Sequence, residues 1–262
     1  MSLISHLATV AKPSNVLESI KSIKLSSQYS IKGDYKRIYL YHIRKTGGTS
    51  LNHMFLSLGG RDGRDVYREM MQKPNHRIIS SNKVFAGFNH SIIKRGNYYY
   101  AFSHEPMHEV VIPDKTFTVT CVRDPLERVV SHYKMLIEMK QDNAKHPGMQ
   151  KQSKWLGNSF EDFLKNIPKK FLLNQLYMFS KEYSIDEATT NIVSCSHFFF
   201  TENFSQGVAG LSDKLGIQLQ ALHTRKTPSS IMVTEKEQDQ LREMLEPEYI
   251  LYKKLSQIKE SA

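Results

Sequence analysis

Hydrophobic and polar positions in this chain follow two periods, and the change from one to the other marks its elements. Arg37 to Ile43 (RIYLYHI) is a short aromatic and β-branched run followed at once by Gly47-Gly48, which predicts a buried strand. From Thr49 to Leu58 the apolar residues Leu51, Met54, Phe55 and Leu58 fall on one face of a helix, and Gly59-Gly60 ends it. Val84 to Ala86, Asn97 to Ser103 (NYYYAFS) and Thr116 to Val122 (TFTVTCV) read as further strands. After the last of these, Asp124 can cap a helix with Pro125 at its first position, and Leu126, Val129, Val130, Tyr133, Leu136 and Ile137 form its apolar face.

Asp142 to Asn158 is polar and reads as a long loop holding the single tryptophan, Trp155, which can either stack on a sugar ring or anchor the loop. Helices are predicted at about 159–166, 169–182 and 185–193, the last opening with Ser184-x-x-Glu187. His197 to Thr201 reads as a strand, and Glu202 to Leu215 as a helix closed by Gly216. A basic loop over His223–Val233 precedes a helix capped by Thr234-x-x-Glu237, and Pro247 breaks and restarts that helix toward Lys254. Strands alternating with helices predict an α/β fold, a three-layer sandwich with a mostly parallel central sheet. Residues 1–36, with a short helix through Val16, Ile20 and Ile23, read as an N-terminal extension, and 37–262 as one domain.

Composition narrows the classes. At 262 residues and 40% hydrophobic, the chain can bury one substantial core, and no apolar run reaches the roughly 20 residues of a membrane-spanning helix. Two cysteines, Cys121 and Cys195, can build neither a disulfide framework nor a four-cysteine zinc site. The net charge of +10 favours polyanionic partners: nucleic acid, acidic glycan, anionic lipid or a phosphorylated co-substrate. The first residues show no secretory leader pattern.

Three segments carry chemistry. The first is strand, then Arg44-Lys45-Thr46-Gly47-Gly48-Thr49-Ser50, then helix. Glycines turn the backbone tightly, the helix start supplies N–H groups, and Lys45 and the hydroxyls add donors, which together make an anion cradle. It is not a Walker A loop, because the lysine precedes the glycines. The second is Arg123-Asp124-Pro125-Leu126-Glu127-Arg128-Val129-Val130-Ser131, where Arg123 ends a strand and Ser131 lies about two turns into the following helix. A salt bridge from Arg123 to Asp124 or Glu127 is the plain structural alternative. The third is Thr224-Arg225-Lys226-Thr227-Pro228, two cations and two hydroxyls in a proline-stiffened loop. No His, Cys and acidic spacing suggests a metal site.

Lys45 to Ser50 together with Arg123-Asp124-Pro125-x-x-Arg128-x-x-Ser131-x-Tyr133 resembles the two nucleotide motifs of sulfotransferases that use 3′-phosphoadenylyl sulfate. The variant is similar to the carbohydrate branch, and within it to the uronyl (heparan sulfate) 2-O-sulfotransferases, whose third loop resembles His223 to Thr227. The resemblance implies a P-loop-like fold, a metal-free transfer to a hydroxyl acceptor on a carbohydrate, either a cytoplasmic enzyme or a trimmed catalytic domain of a Golgi enzyme, and donor contacts from Arg44 through Ser50, Arg123, Ser131, Arg225, Lys226 and Thr227. It implies that Lys45 meets the leaving oxygen, and that Arg123 and Ser131 hold the donor's 3′-phosphate. The general base stays open among His104, Glu105 and His90, with His108 also nearby; His104, at a strand end before the Arg-Asp-Pro motif, is placed best. If a histidine is the base, activity should fall as pH drops through its pKa. The His-Gly-His-type signature of the uronyl enzymes is absent. The alternatives are a P-loop-type kinase using ATP and magnesium, and a basic nucleic-acid-binding protein.

Overall fold

Residues 13–141, 149, 152–220 and 232–261 are described by a computed structural model. Strands β1 (Arg37–Tyr41), β2 (Arg77–Ser80), β3 (Lys83–Gly87), β4 (Tyr100–Ser103), β5 (Thr116–Val122) and β6 (His197–Phe200) form one sheet in the order β2-β3-β4-β1-β5-β6. β2 runs antiparallel to β3, and the other four pairings are parallel. The chain winds outward from β1 to β2, returns through β3 to β4, and crosses β1 to reach β5. The carboxyl end of β1 is therefore the topological switch point, where open α/β sheets bind ligands.

Alternating side chains divide the core into two layers, one on each face. Ile38 and Leu40 of β1 join Phe85, Phe102, Val119 and Phe199 under α2 (Gly48–Ser57), α3 (Gly63–Gln72) and α10 (Phe204–Leu215). Tyr39 and Tyr41 join Val84, Ala101, Val122 and Phe200 under α5 (Pro125–Gln141), α6 (Phe160–Asn166), α9 (Ile185–Val193), α11 (Glu235–Met244) and α12 (Glu246–Glu260). This is the three-layer α/β sandwich expected from the sequence.

Several elements differ from the sequence reading, each for a local reason. β1 ends at Tyr41 rather than Ile43 because the Ile43 N–H turns back onto the Tyr41 carbonyl (3.1 Å). α3, β2 and α4 (His90–Arg95) escape the periodicity argument. In α3 only Gly63, Val66 and Met70 are buried, which is one thin stripe, although Asp62 caps the helix by accepting from the Arg64 and Asp65 N–H groups. The helix expected over 169–182 is two, α7 (Lys169–Leu172) and α8 (Asn174–Phe179), parted at Leu173 with φ −99 and ψ 51. Trp155 is 5% exposed and packs on Phe171 (ring centroids 4.6 Å), so it is an anchor and offers no face to a sugar.

The capping box at Thr234 and Glu237 has both its hydrogen bonds, and Gly216 closes α10 in the left-handed conformation. The N-terminal helix α1 (Pro13–Ser26) is held by Glu18 on the Arg77 guanidinium (3.0 Å). Among the described residues no helix is long and apolar enough to cross a membrane.

Candidate active site

Register brings the strand ends level: Tyr41 of β1 pairs with Ser103 of β4 and Thr120 of β5, and Val122 pairs with Phe200 of β6. The segments that follow, His42–Gly47, His104–Glu105, Arg123–Asp124 and Thr201–Glu202, therefore gather along one edge of the sheet. Two of the three segments singled out in the sequence meet there. The third, with Arg225, Lys226 and Thr227, lies outside the described residues.

The first loop is shaped by its backbone. Lys45 has φ 68 and Gly47 φ 84, so the chain doubles back just before α2. Gly47 is the N-cap of α2 and, among the described residues, no side chain caps that end; the Ser50 N–H donates to the Gly47 carbonyl (3.0 Å), and the Gly48 and Thr49 N–H groups lie at the positive end of the helix dipole. At Gly48 a Cβ would stand 2.0 Å from His42 Cδ2, and at Gly47 one would stand 2.9 Å from the Phe204 ring. Both glycines are thus needed for close approach. Thr46 is buried and its hydroxyl donates to the Ile43 carbonyl (3.0 Å), a structural task, whereas Thr49 is exposed and Ser50 half-buried. Burial holds the Lys45 ammonium below its usual pKa, Arg123 adds to the shift, and Glu138 opposes it. Burial pushes the Arg44 guanidinium down to about 10.

Arg123 lies one residue past β5. Its Nη1 donates to the Lys45 carbonyl (3.3 Å) and its Nη2 to Glu127 Oε2 (3.2 Å). The ion pair with Glu127 anticipated from the sequence is present, and Arg123 also reaches the first loop. Ser131 is half-buried, one turn beyond Glu127 on the row that runs from Arg123 along α5. Asp124 accepts the Glu127 N–H (2.9 Å), as a cap should. Thr201 Oγ1 lies 3.2 Å from the Thr46 carbonyl and 3.1 Å from the Val122 carbonyl, sharing one proton between the two loops. Arg128 is fully buried on Glu248 (3.1 Å) and is a packing residue.

His104 follows β4 directly. Its Nδ1 lies 2.6 Å from the His42 carbonyl, which can only accept, so Nδ1 carries the proton and Nε2 keeps its lone pair. Nε2 has no hydrogen-bond partner among the described residues. His104 lines a cleft of about 160 Å³ with Arg44, Glu105, Lys170, Phe171 and Tyr177. Burial, then the adjacent His42 and the Arg44 charge, hold the His104 imidazole well below its ordinary pKa. The rival Glu105 is engaged by His90 Nε2, and burial raises its pKa against that pull. His108 contacts Glu109 (3.8 Å) instead.

Sequence reasoning passed over His42. Its ring lies 4.4 Å from that of His104, its buried Nδ1 has no partner among the described residues, and burial with the Arg44 and Lys45 charges pushes it down to about 3. In the sequence it reads as part of the strand, so neither its place just after β1 nor its contact with Gly48 was visible there. The cleft's cations are also assembled only in three dimensions. Arg44 and Lys170 both lie over the Phe171 ring (5.5 and 5.7 Å to the centroid), and neither forms a salt bridge among the described residues. No group of three or more His, Cys, Asp or Glu is placed to hold a metal among the described residues.

The edge thus presents an uncapped helix start, a lysine and an arginine converging on one loop, and an imidazole with a free lone pair beside a basic cleft. No curated protein sequence matches the chain. The sequence model of a family described as "Sulfotransferase family" matches residues 27–253.

Proposed function

The chain belongs to the sulfotransferase family, and we propose that it moves a sulfuryl group from 3′-phosphoadenylyl sulfate to a hydroxyl of a carbohydrate. The observation that carries the donor assignment is the Arg123 guanidinium on the Lys45 carbonyl, which joins the two anion-binding loops into one surface. The cradle suits a phosphate: Gly47 and Gly48 let its backbone pack directly against Phe204 and His42, and its donors are backbone N–H groups and cations. In this reading Lys45, the loop backbone from Thr46 to Gly48, Thr49 and Ser50 hold the 5′-phosphosulfate end, and Arg123 and Ser131 the 3′-phosphate, while the Arg44 side chain lies over Phe171 in the cleft. Arg225, Lys226 and Thr227 would add to the donor site from the third loop.

The donor supplies an activated S–O bond. Lys45 places its charge at the bridging oxygen, which becomes more negative as that bond breaks, so it stabilises the transition state more than the ground state. His104 Nε2 accepts the acceptor's hydroxyl proton as the new O–S bond forms. The fixed tautomer supports this assignment over Glu105, whose carboxylate is already held by His90. Arg44 and Lys170 over Phe171 favour a carbohydrate bearing an acidic group, with the Tyr177 ring in the same cleft for its apolar faces.

A kinase reading would need a lysine after the glycines and an acidic magnesium ligand. A nucleic-acid-binding reading would leave the cradle and the imidazole without a task. Transfer of sulfur label from the donor to a panel of neutral and acidic oligosaccharides tests the proposal. Label on at least one oligosaccharide, without added metal, is the expected result. Label on none of them, with the donor bound, rejects a carbohydrate acceptor.

A further inference from the structure

We infer that Asn174 and Gln175 are positioning residues that set the separation of the two anion-binding loops; this rests on the donor-site reading above. They are the first two residues of α8, whose start is where the expected long helix breaks. Glu248 of α12, fully buried, enters at that break and accepts from the Gln175 N–H (2.6 Å), the Leu176 N–H (3.4 Å), Gln175 Nε2 (3.3 Å) and Arg128 Nη2 (3.1 Å). Arg128 is itself fixed by the Phe171 and Leu172 carbonyls. A carboxylate with these donors around it only accepts, so it dictates which end of the Gln175 amide is nitrogen.

That orientation fits one peptide elsewhere. Gln175 Oε1 accepts the Arg123 N–H (2.9 Å), and Nε2 donates to the Arg123 carbonyl (3.0 Å). The amide pairs with both polar groups of Arg123 as a neighbouring strand would, one residue after β5 ends. Next to it, Asn174 Oδ1 accepts the Arg44 N–H (3.2 Å), while its Nδ2 donates to the Lys170 carbonyl (3.0 Å). Adjacent residues on one helix therefore grip the backbone of the first loop at Arg44 and of the second at Arg123. Gln175 is fully buried, so it acts on a ligand only through Arg123.

A purely structural role and a positioning role differ in how they combine with loss of the Arg123 side chain. Gln175→Met keeps the length of the side chain and removes both hydrogen bonds to Arg123. Adenosine 3′,5′-bisphosphate is titrated calorimetrically into the wild type, Gln175→Met, Arg123→Ala and the double variant, with denaturant midpoints measured in parallel. Gln175→Met is expected to raise the Kd about 10- to 100-fold, the scale of losses from misplacement by roughly 1 Å. In the Arg123→Ala background it is expected to change Kd by less than about twofold, because the guanidinium it positions is gone. A lowered midpoint with unchanged Kd, or an equal loss in both backgrounds, overturns the inference.

Should Gln175→Met not fold, Asn174→Ala gives the same comparison against Lys45→Ala. A loss of affinity that vanishes in the Lys45→Ala background supports positioning, and unchanged or additive affinity overturns it. Wild-type protein that fails to bind the bisphosphate overturns the donor-site reading together with this inference. Wild-type binding with a normal Gln175→Met variant overturns this inference alone.

Discussion

Gly48→Ala is the smallest change that should damage the first loop. The added Cβ would lie 2.0 Å from His42 Cδ2 and 2.3 Å from its Nε2, where carbon contacts under about 3.4 Å are rare, so one partner must retreat by more than an ångström. Neither can do so freely. The His42 N–H donates to the Ser103 carbonyl (3.0 Å), its carbonyl accepts from His104 (2.6 Å), and its ring lies 4.4 Å from the His104 ring. On the other side, α2 packs through Leu51 and Phe55, which are fully buried. Overpacking of this kind costs about 1–3 kcal/mol. Relief by tilting the start of α2 would move the uncapped N–H groups and weaken bisphosphate binding by roughly tenfold or more. Urea denaturation and bisphosphate titration read the two effects separately. Adding His42→Ala should remove part of the strain, so the double variant should be less destabilised than the sum of the single changes. A Gly48→Ala protein within about 0.5 kcal/mol of wild type, with normal bisphosphate affinity, would refute the reasoning.

Further outcomes follow from the same edge of the sheet. Glu127→Gln frees Arg123 from its exposed carboxylate partner, so bisphosphate affinity should rise by about two- to fivefold at low salt and the gain should fade as salt is added; an unchanged or weaker affinity at low salt counts against Arg123 as a phosphate ligand. Lys45→Ala should lower turnover by roughly 10²–10³, and His104→Ala by about 10²–10⁴ with bisphosphate binding retained; equal loss of binding in both would contradict the division of labour. Because the folded His104 imidazole is held below its ordinary pKa, the acid limb of kcat/KM should lie below about pH 6.5, and a limb at or above that pH excludes it as the base. Burial pushes His42 and His132 down to about 3 and His197 to about 4, so the unfolded chain takes up protons below pH ~6.5 that the folded chain refuses. Stability should therefore fall as pH drops from about 6.5 toward 4, approaching ~1.4 kcal/mol per pH unit for each histidine; urea midpoints that stay flat between pH 7 and 5 would contradict this.

What could be read from the chain was what local rules control. The run from Arg37 to Ser57, the strand Thr116–Val122, the cap at Asp124 and the box at Thr234 each follow from a few adjacent residues, and each is found in place. The layered architecture and the mostly parallel sheet followed from their alternation. What stayed hidden depends on partners far along the chain. The break at Leu173 has no proline or glycine beside it, and the N–H groups that follow it are taken by Glu248, more than seventy residues away. α3 went unread although Asp62 stands where a cap belongs, because Val66 and Met70 are too thin a stripe to register as a helical period. His42 looked like one more residue of a strand until the Ile43 N–H turned the chain at that point. Trp155 could equally have faced a sugar, and only the position of Phe171 decides that it does not.

The donor assignment rests on two loops acting as one surface, and titration with adenosine 3′,5′-bisphosphate in the presence of a chelator tests it most directly. The joined cradle of Lys45, Gly47, Gly48 and Arg123 should bind one bisphosphate per chain without metal, more tightly than it binds ATP with or without magnesium. Binding that requires magnesium and prefers ATP, or no nucleotide binding by the folded chain, would contradict it.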